Sequence, residues 1–425
     1  MSTAFSDRLS REQAAVRGTL PDSVVPAAVR EAALQRVLET GLPGLRDEGW
    51  RYASLRPLLT APLATAGAVD ASAAAGLLPP AIEGIGRLVY VNGRFAAALS
   101  ADPAALPGLA ARTSAPGAET FSVPTPDERF AWLNDVFAVD GAQFDVRGEQ
   151  QLELVFVTLP SETPGAAHPR VTLHLAAGSR LRLIERHVGG VDGGLVNACV
   201  QLGIGRDASL EHVRLQDCAA GAIFLDSLLA RLDAGSQYTL TQLQLGAASA
   251  RSGLRIDLEG EASRVDLRGL SLGDARRVHD TAIQVSHRGR RTQSEQLLRA
   301  IAKDHSGTSY ASRVDVAATA GGADSRQSLK GLLGDAGAEV NLRPQLEIST
   351  DDVKASHGAT TGALDANMLF YLLSRGLDPQ TARQLLEWAF LEDVISRIGL
   401  PALRRQVELA TLGHLGNTAA EEALR

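Results

Sequence analysis

The chain offers few side chains that could hold a metal or attack a substrate. Its soft donors are two cysteines, Cys199 and Cys218, and nine histidines: His168, His174, His187, His212, His279, His287, His305, His357 and His414. A self-contained metal cluster or structural zinc site takes about four ligands, mostly thiolate, so the chain cannot furnish one alone. No C-x-x-C, H-E-x-x-H or G-x-x-x-x-G-K-[ST] string occurs, which removes the usual zinc-protease and P-loop ATPase chemistries. Gly203-Ile204-Gly205-Arg206-Asp207-Ala208 matches the glycine spacing of a dinucleotide-binding turn. The residues after it read as strand rather than the helix that must meet a pyrophosphate, so a plain inter-strand turn is expected.

One histidine stands out by context. His357 sits in Lys354-Ala355-Ser356-His357-Gly358-Ala359-Thr360, where the last strand-like run meets helical sequence, with Gly358 and Gly362 expected to let the backbone turn. An imidazole presented there could ligate iron. A turn histidine bonded to a backbone carbonyl, or to Asp351 or Asp352, is the simpler reading of the residues taken alone.

The elements that must position it fall into three zones. Residues 1–135 read as mainly helical, with Ala61 to Pro80 as a loosely ordered connector and a short strand at Leu88-Val89-Tyr90-Val91 before an Asn92-Gly93 turn. From 136 to 357 apolar residues alternate with the two-residue period of strands, as in Leu152, Leu154 and Phe156. A phrase of Gly, Ala, Ser or Asp followed by a strand keeps returning, and its first apolar residue recurs at Leu181, Leu210, Tyr238 and Val265. That spacing of 27 to 29 lies in the solenoid range, and Val340 falls about three steps further on. Tight turns without intervening helices argue for a β-solenoid, with a sandwich second. From 358 to 425 helical periodicity returns: Asp365 and Asp378-Pro379 cap helix starts, Arg375-Gly376 ends the first helix, and Pro401 opens a third. Such helices could cap the open end of the solenoid.

Composition excludes other classes. The net charge of −7 and 4% aromatic content do not suit a nucleic-acid binder, and Arg288-Gly289-Arg290-Arg291 stands alone as a solvated loop. No apolar run reaches the length of about 18 residues that spans a bilayer, and the first residues lack a signal-peptide layout. A cytoplasmic protein with no membrane partner is expected, its two cysteines free and buried.

Longer strings carry a resemblance. Arg343-Pro344-Gln345-Leu346-Glu347-Ile348, Asp351-Asp352-Val353-Lys354-Ala355-Ser356-His357-Gly358-Ala359-Thr360 and Phe370-Tyr371-Leu372-Leu373-Ser374-Arg375-Gly376 closely resemble the signature of the SufB/SufD family. Asp47-Glu48-Gly49-Trp50-Arg51-Tyr52-Ala53-Ser54-Leu55 resembles an element that distinguishes its SufD branch. The resemblance implies a mainly β fold with α caps, a right-handed parallel β-helix flanked by helical N- and C-terminal regions. It implies a non-catalytic scaffold of SUF iron–sulfur cluster assembly that pairs with SufB through the β-helix and carries the ABC-type ATPase SufC on its C-terminal helices. An isolated chain could instead pair with itself.

By the same resemblance, His357 occupies the position of an interface histidine that serves a transient cluster shared with SufB, as ligand or assembly residue. Ala355 departs from the pattern, since many relatives carry cysteine there, which leaves SufB to provide sulfur ligands. The helix from Pro379 to Ile398, with Leu386, Phe390, Leu391 and Val394, is the expected ATPase dock. The rivals are a SufB-like primary scaffold, disfavoured by the scarcity of cysteine, and a solenoid enzyme acting on polysaccharide, disfavoured by few aromatics.

Overall fold

The computed structural model describes residues 2–44, 47–106, 108–111 and 128–416. Its centre is a β-solenoid in which the chain alternates between two facing sheets. One sheet stacks Gly86–Val91, Glu149–Thr158, Arg180–Gly189, Ser209–Cys218, Gln237–Gln244, Arg264–Gly273, Gln293–Ala302, Ala323–Leu333 and Val353–Gly362, all parallel. The other stacks Ala142–Val146, Arg170–Leu175, Leu195–Ile204, Ile223–Leu232, Ser249–Leu258, Val278–His287, Gly307–Val316 and Glu339–Ile348. At the N-terminal end, short antiparallel strands Arg94–Phe95 and Leu109–Ala111 finish the two sheets.

The recurring sequence phrase marks the corners. Leu181, Leu210, Tyr238 and Val265 are successive register partners, and the column continues through Ser294 and Ser325 to Ala355. Three residues before each of the first six lies a residue with positive φ: Gly178 (70°), Asp207 (57°), Gly235 (68°), Ala262 (59°), Arg291 (53°) and Gly322 (78°). Each coil thus enters the sheet through one left-handed residue, which is why small and turn-forming types recur there. Val340 does not belong to this column. It lies in the other sheet, opposite Thr308, because the chain crosses between sheets at every half-coil.

Inward residues of both sheets, among them Leu154, Leu183, Leu240, Leu267 and Leu298, fill one continuous core. The outer faces are covered by helices. Helices α1 (Ser2–Val16), α2 (Ala27–Thr40) and α3 (Arg129–Phe137) pack near the outward residues Leu195, Cys199, Ile223, Leu225 and Leu229 of the second sheet. Helices α4 (Ala366–Ser374), α5 (Pro379–Ile395) and α6 (Pro401–Leu415) follow the last strand. The latter two lie along the first sheet, on Val213, Leu243, Leu270, Leu272, Leu297 and Ile301. The capping expectations hold: Asp365 accepts from Asn367 and Met368, Asp378 accepts from Gln380 and Thr381, and Gly376 takes φ 92° after Arg375.

Several boundaries differ from those expected. The solenoid begins at Gly86 inside the supposedly helical N-terminal zone, since Gly86–Val91 pairs with Glu149–Thr158. It runs to Gly362 rather than stopping at His357. Ala61 to Pro80 is anchored, with Leu63 and Ala74 fully buried and the Leu63 and Ala64 N–H groups donated to the Glu12 carboxylate. Most consequentially, α5 and α6 cover the side of the solenoid, and among the described residues nothing covers its C-terminal end. Residues 417–425 of the expected C-terminal helical region lie outside the described residues. No helix among the described residues is long and apolar enough to cross a membrane.

Candidate functional site

The bare end is formed by two adjacent edge strands, Glu339–Ile348 and Val353–Gly362. Every residue from Lys354 to Gly362 is exposed, although both strands are fully ordered into their sheets by in-register pairing with Gly307–Val316 and Ala323–Leu333. Each therefore has one side of its backbone without a sheet partner, and the lumen residues of the last coil have nothing stacked upon them among the described residues. Pro344 lies in one of these strands, a position that proline tolerates because an edge does not need every N–H.

His357 lies in mid-strand, opposite Gln327. The strand continues through Gly358 and Gly362, opposite Ser328 and Leu332, and neither glycine has a positive φ. The expected sharp turn is absent because the backbone hydrogen bonds of the ladder hold both glycines extended. The imidazole is exposed and makes no hydrogen bond or ion pair with the described residues, so neither Asp351 nor Asp352 holds it. By strand alternation it shares the lumen face with Ala355, Ala359 and Thr361.

Beneath these residues the lumen is polar. Gln327, only 4% exposed, donates through Nε2 to the Ser312 hydroxyl (2.8 Å) and carbonyl (3.1 Å), and Ser312 in turn bonds the Gln296 side chain. Under Ala355 a second chain runs from Ser325 to Ser294 (2.9 Å) and on to His287 (2.8 Å). Burial holds His287 down at about 4, so it is neutral near pH 7 and pairs with hydroxyls as a neutral ring.

The cysteines play no part at this end. Cys199 is buried in the face beneath the N-terminal helices, and Cys218 lies five strands from the last edge, roughly 24 Å at ordinary strand spacing. Burial pushes the Cys199 thiol up to about 12 and Cys218 also upward, so both are unreactive thiols, unpaired with one another. Among the described residues no group of three or more His, Cys, Asp or Glu side chains is arranged to hold a metal ion.

Sequence reading missed a buried charged cluster deep in the lumen. Glu185, with no exposed surface, bonds His187 (2.7 Å) and Arg214 (2.7 Å) through one oxygen, and its other oxygen lies 3.2 Å from the His212 ring. Desolvation opposes ionisation of Glu185, yet the Arg214 guanidinium and the two imidazoles hold its carboxyl well below the usual range. Strand parity carried a signal for it, since Leu181, Leu183, Glu185 and His187 share one face.

The other exposed feature is α4. It buries none of its residues, and Met368, Phe370 and Tyr371 are 60, 72 and 55% exposed. The expected docking residues on α5 divide differently. Leu391 and Val394 are fully buried against the solenoid, while Leu386 and Phe390 are half-buried. Leu391, Val394 and part of Phe390 serve to seat α5 on the sheet, so the outward apolar surface is α4 with Leu385 at 43% exposed.

The segment from Asp47 to Leu55 reaches the last coils from the N-terminal side. Trp50 is buried, with the Arg251 guanidinium 4.3 Å from its ring and Phe130 at 5.2 Å, and Glu48 pairs with Arg343 of an edge strand.

Known proteins share much of this sequence. Residues 157–390 match the family model described as "SUF system FeS cluster assembly, SufBD core domain". The chain is 30% identical over 400 residues to the iron–sulfur cluster assembly protein SufD of Escherichia coli, covering 89% of this chain and 90% of that one. It is 28% identical over 420 residues to an iron–sulfur cluster assembly SufBD family protein of Synechocystis, covering 93% and 92%. A chloroplastic protein of Arabidopsis thaliana, ABCI7, is 28% identical over 243 residues, 56% of this chain and 51% of the relative.

Proposed function

The chain belongs to the SufBD family of iron–sulfur cluster assembly proteins, and from that premise we propose that it is a non-catalytic SufD-like scaffold. In this reading it pairs with a SufB-like chain through its bare solenoid end and carries a SufC-like ATPase on its C-terminal helices. The observation that carries the proposal is the uncapped pair of edge strands with His357 among them. An exposed, well-ordered edge of this length invites another chain to continue the sheets, and natural proteins blunt such edges unless they use them.

Pairing there would bury His357 against residues of the second chain. A neutral imidazole nitrogen is a competent iron ligand, and the nascent cluster is cargo held between the chains. Because Ala355 offers no thiolate and both cysteines are buried elsewhere, the sulfur ligands fall to the partner. The exposed Met368, Phe370 and Tyr371 of α4 supply an apolar, aromatic surface of the kind found at interface cores.

The test is co-expression with SufB-like and SufC-like chains, affinity purification and anaerobic cluster reconstitution, comparing wild type with His357→Ala. A three-protein complex whose variant assembles but builds no cluster supports the whole reading. A complex whose variant builds clusters normally removes His357 from the site, and failure of any complex to form sinks the pairing.

A further inference from the structure

The side chain directly beneath His357 is incompletely satisfied. Gln327 is buried, and the orientation of its amide is fixed: the atom 3.1 Å from the Ser312 carbonyl must be the nitrogen, because a carbonyl can only accept. Its Oε1 is then the free end, buried and without a hydrogen-bond partner among the described residues. A buried acceptor left bare has given up its hydration with no bond in exchange. The residues adjoining Gln327 on the same face of the ladder are Gln296 below and His357 above. His357 has a ring N–H that nothing among the described residues accepts.

We propose that Gln327 is a positioning residue for His357, its Oε1 accepting one ring N–H so that the other ring nitrogen presents its lone pair at the open end of the solenoid. The inference rests on the reading of His357 as the cluster-facing side chain. Its chemical logic is general: a metal-ligating imidazole has its second nitrogen held by an acceptor, which fixes tautomer and ring orientation. Here the acceptor is in turn fixed by Ser312, which is itself bonded to Gln296. The orientation of His357 is therefore set by Gln327, held by Ser312 of the facing sheet, rather than by the exposed strand that carries it. A competing donor in the column is Gln296 Nε2, also buried and unpartnered among the described residues.

The experiment uses the isolated full-length chain with 15N-labelled histidine and no metal. Wild type should show one ring N–H protected from solvent exchange that disappears in His357→Ala, which assigns it. Gln327→Leu should abolish that protection, Gln327→Glu, which keeps an acceptor, should retain it, and Gln296→Met should leave it unchanged. Thermal midpoints identify any variant that fails to fold. Absence of a protected His357 N–H in wild type, or its persistence in folded Gln327→Leu, overturns the proposal. So does its loss in folded Gln296→Met. In the reconstituted complex, Gln327→Leu should weaken cluster retention by ~10–100-fold and Gln296→Met should not. Because the first readout involves no cluster and no partner, it can fail while the pairing and the role of His357 stand.

Discussion

Arg214 and Asp226 meet across the lumen, one from each sheet, in a bidentate ion pair of 2.7 and 2.9 Å sealed from solvent. The same guanidinium holds Glu185 at 2.7 Å. A buried pair of this kind need not stabilise relative to apolar packing, because desolvating the charges offsets their attraction. Removing the cation alone is a different matter, for it strands two buried carboxylates. Arg214→Met should destabilise the chain by about 3–5 kcal/mol, read as a shift of the urea midpoint. Replacing Arg214, Glu185 and Asp226 together by apolar residues should cost less than the single change. A single variant as stable as wild type would contradict the ionised assignment of the cluster.

Stability should fall steeply on mild acidification. Burial holds His168, His279 and His287 at about 4, against an ordinary value of 6.5. Below about pH 6.5 the unfolded chain takes up protons at these rings, and the folded chain does so only near pH 4. Their contribution is therefore intact above pH 6.5 and lost progressively down to 4, on the order of 3 kcal/mol for each ring. The lowered carboxyl of Glu185 acts in the same direction at lower pH. Glu387, raised by burial despite Lys303 beside it, acts oppositely and loses its contribution as pH rises. Urea titrations at steps between pH 7 and 4 check the sign; a flat profile would mean that the three rings are accessible to water in the folded state.

How much of this could be read from sequence varies by element. The coil repeat was legible at Leu181, Leu210, Tyr238 and Val265 because every coil must enter its sheet through a left-handed corner, and that constraint leaves a compositional mark. Val340 was misplaced because the same corner chemistry serves both sheets, as positive φ at Ala275 and Asp304 shows. His357 stood out by its place where strand-like sequence meets helical sequence, and its candidacy as a site came through the longer family string. Its setting in mid-strand was not legible, since Gly358 reads as a turn residue unless the pairing with Ser328 is known. Gln327 and the Glu185 cluster were invisible as sites because inward parity makes a polar residue conspicuous only once the strand's inner face is identified.

Leu391 and Phe370 separate the two roles that apolar residues play in the C-terminal helices. Leu391 has no exposed surface and packs in the cluster that seats α5 on the solenoid, whereas Phe370 is 72% exposed on α4. Leu391→Ala should therefore cost about 2–5 kcal/mol through lost burial and a residual cavity, lowering the thermal midpoint of the isolated chain. Phe370→Ser should change that midpoint little, since surface substitutions usually stay within about 0.5 kcal/mol, and yet should abolish co-purification of the ATPase. The pairing of the two readouts decides the matter. If Phe370→Ser binds the ATPase as well as wild type while folded Leu391→Ala does not, the dock lies on α5 and the exposed face of α4 serves another contact.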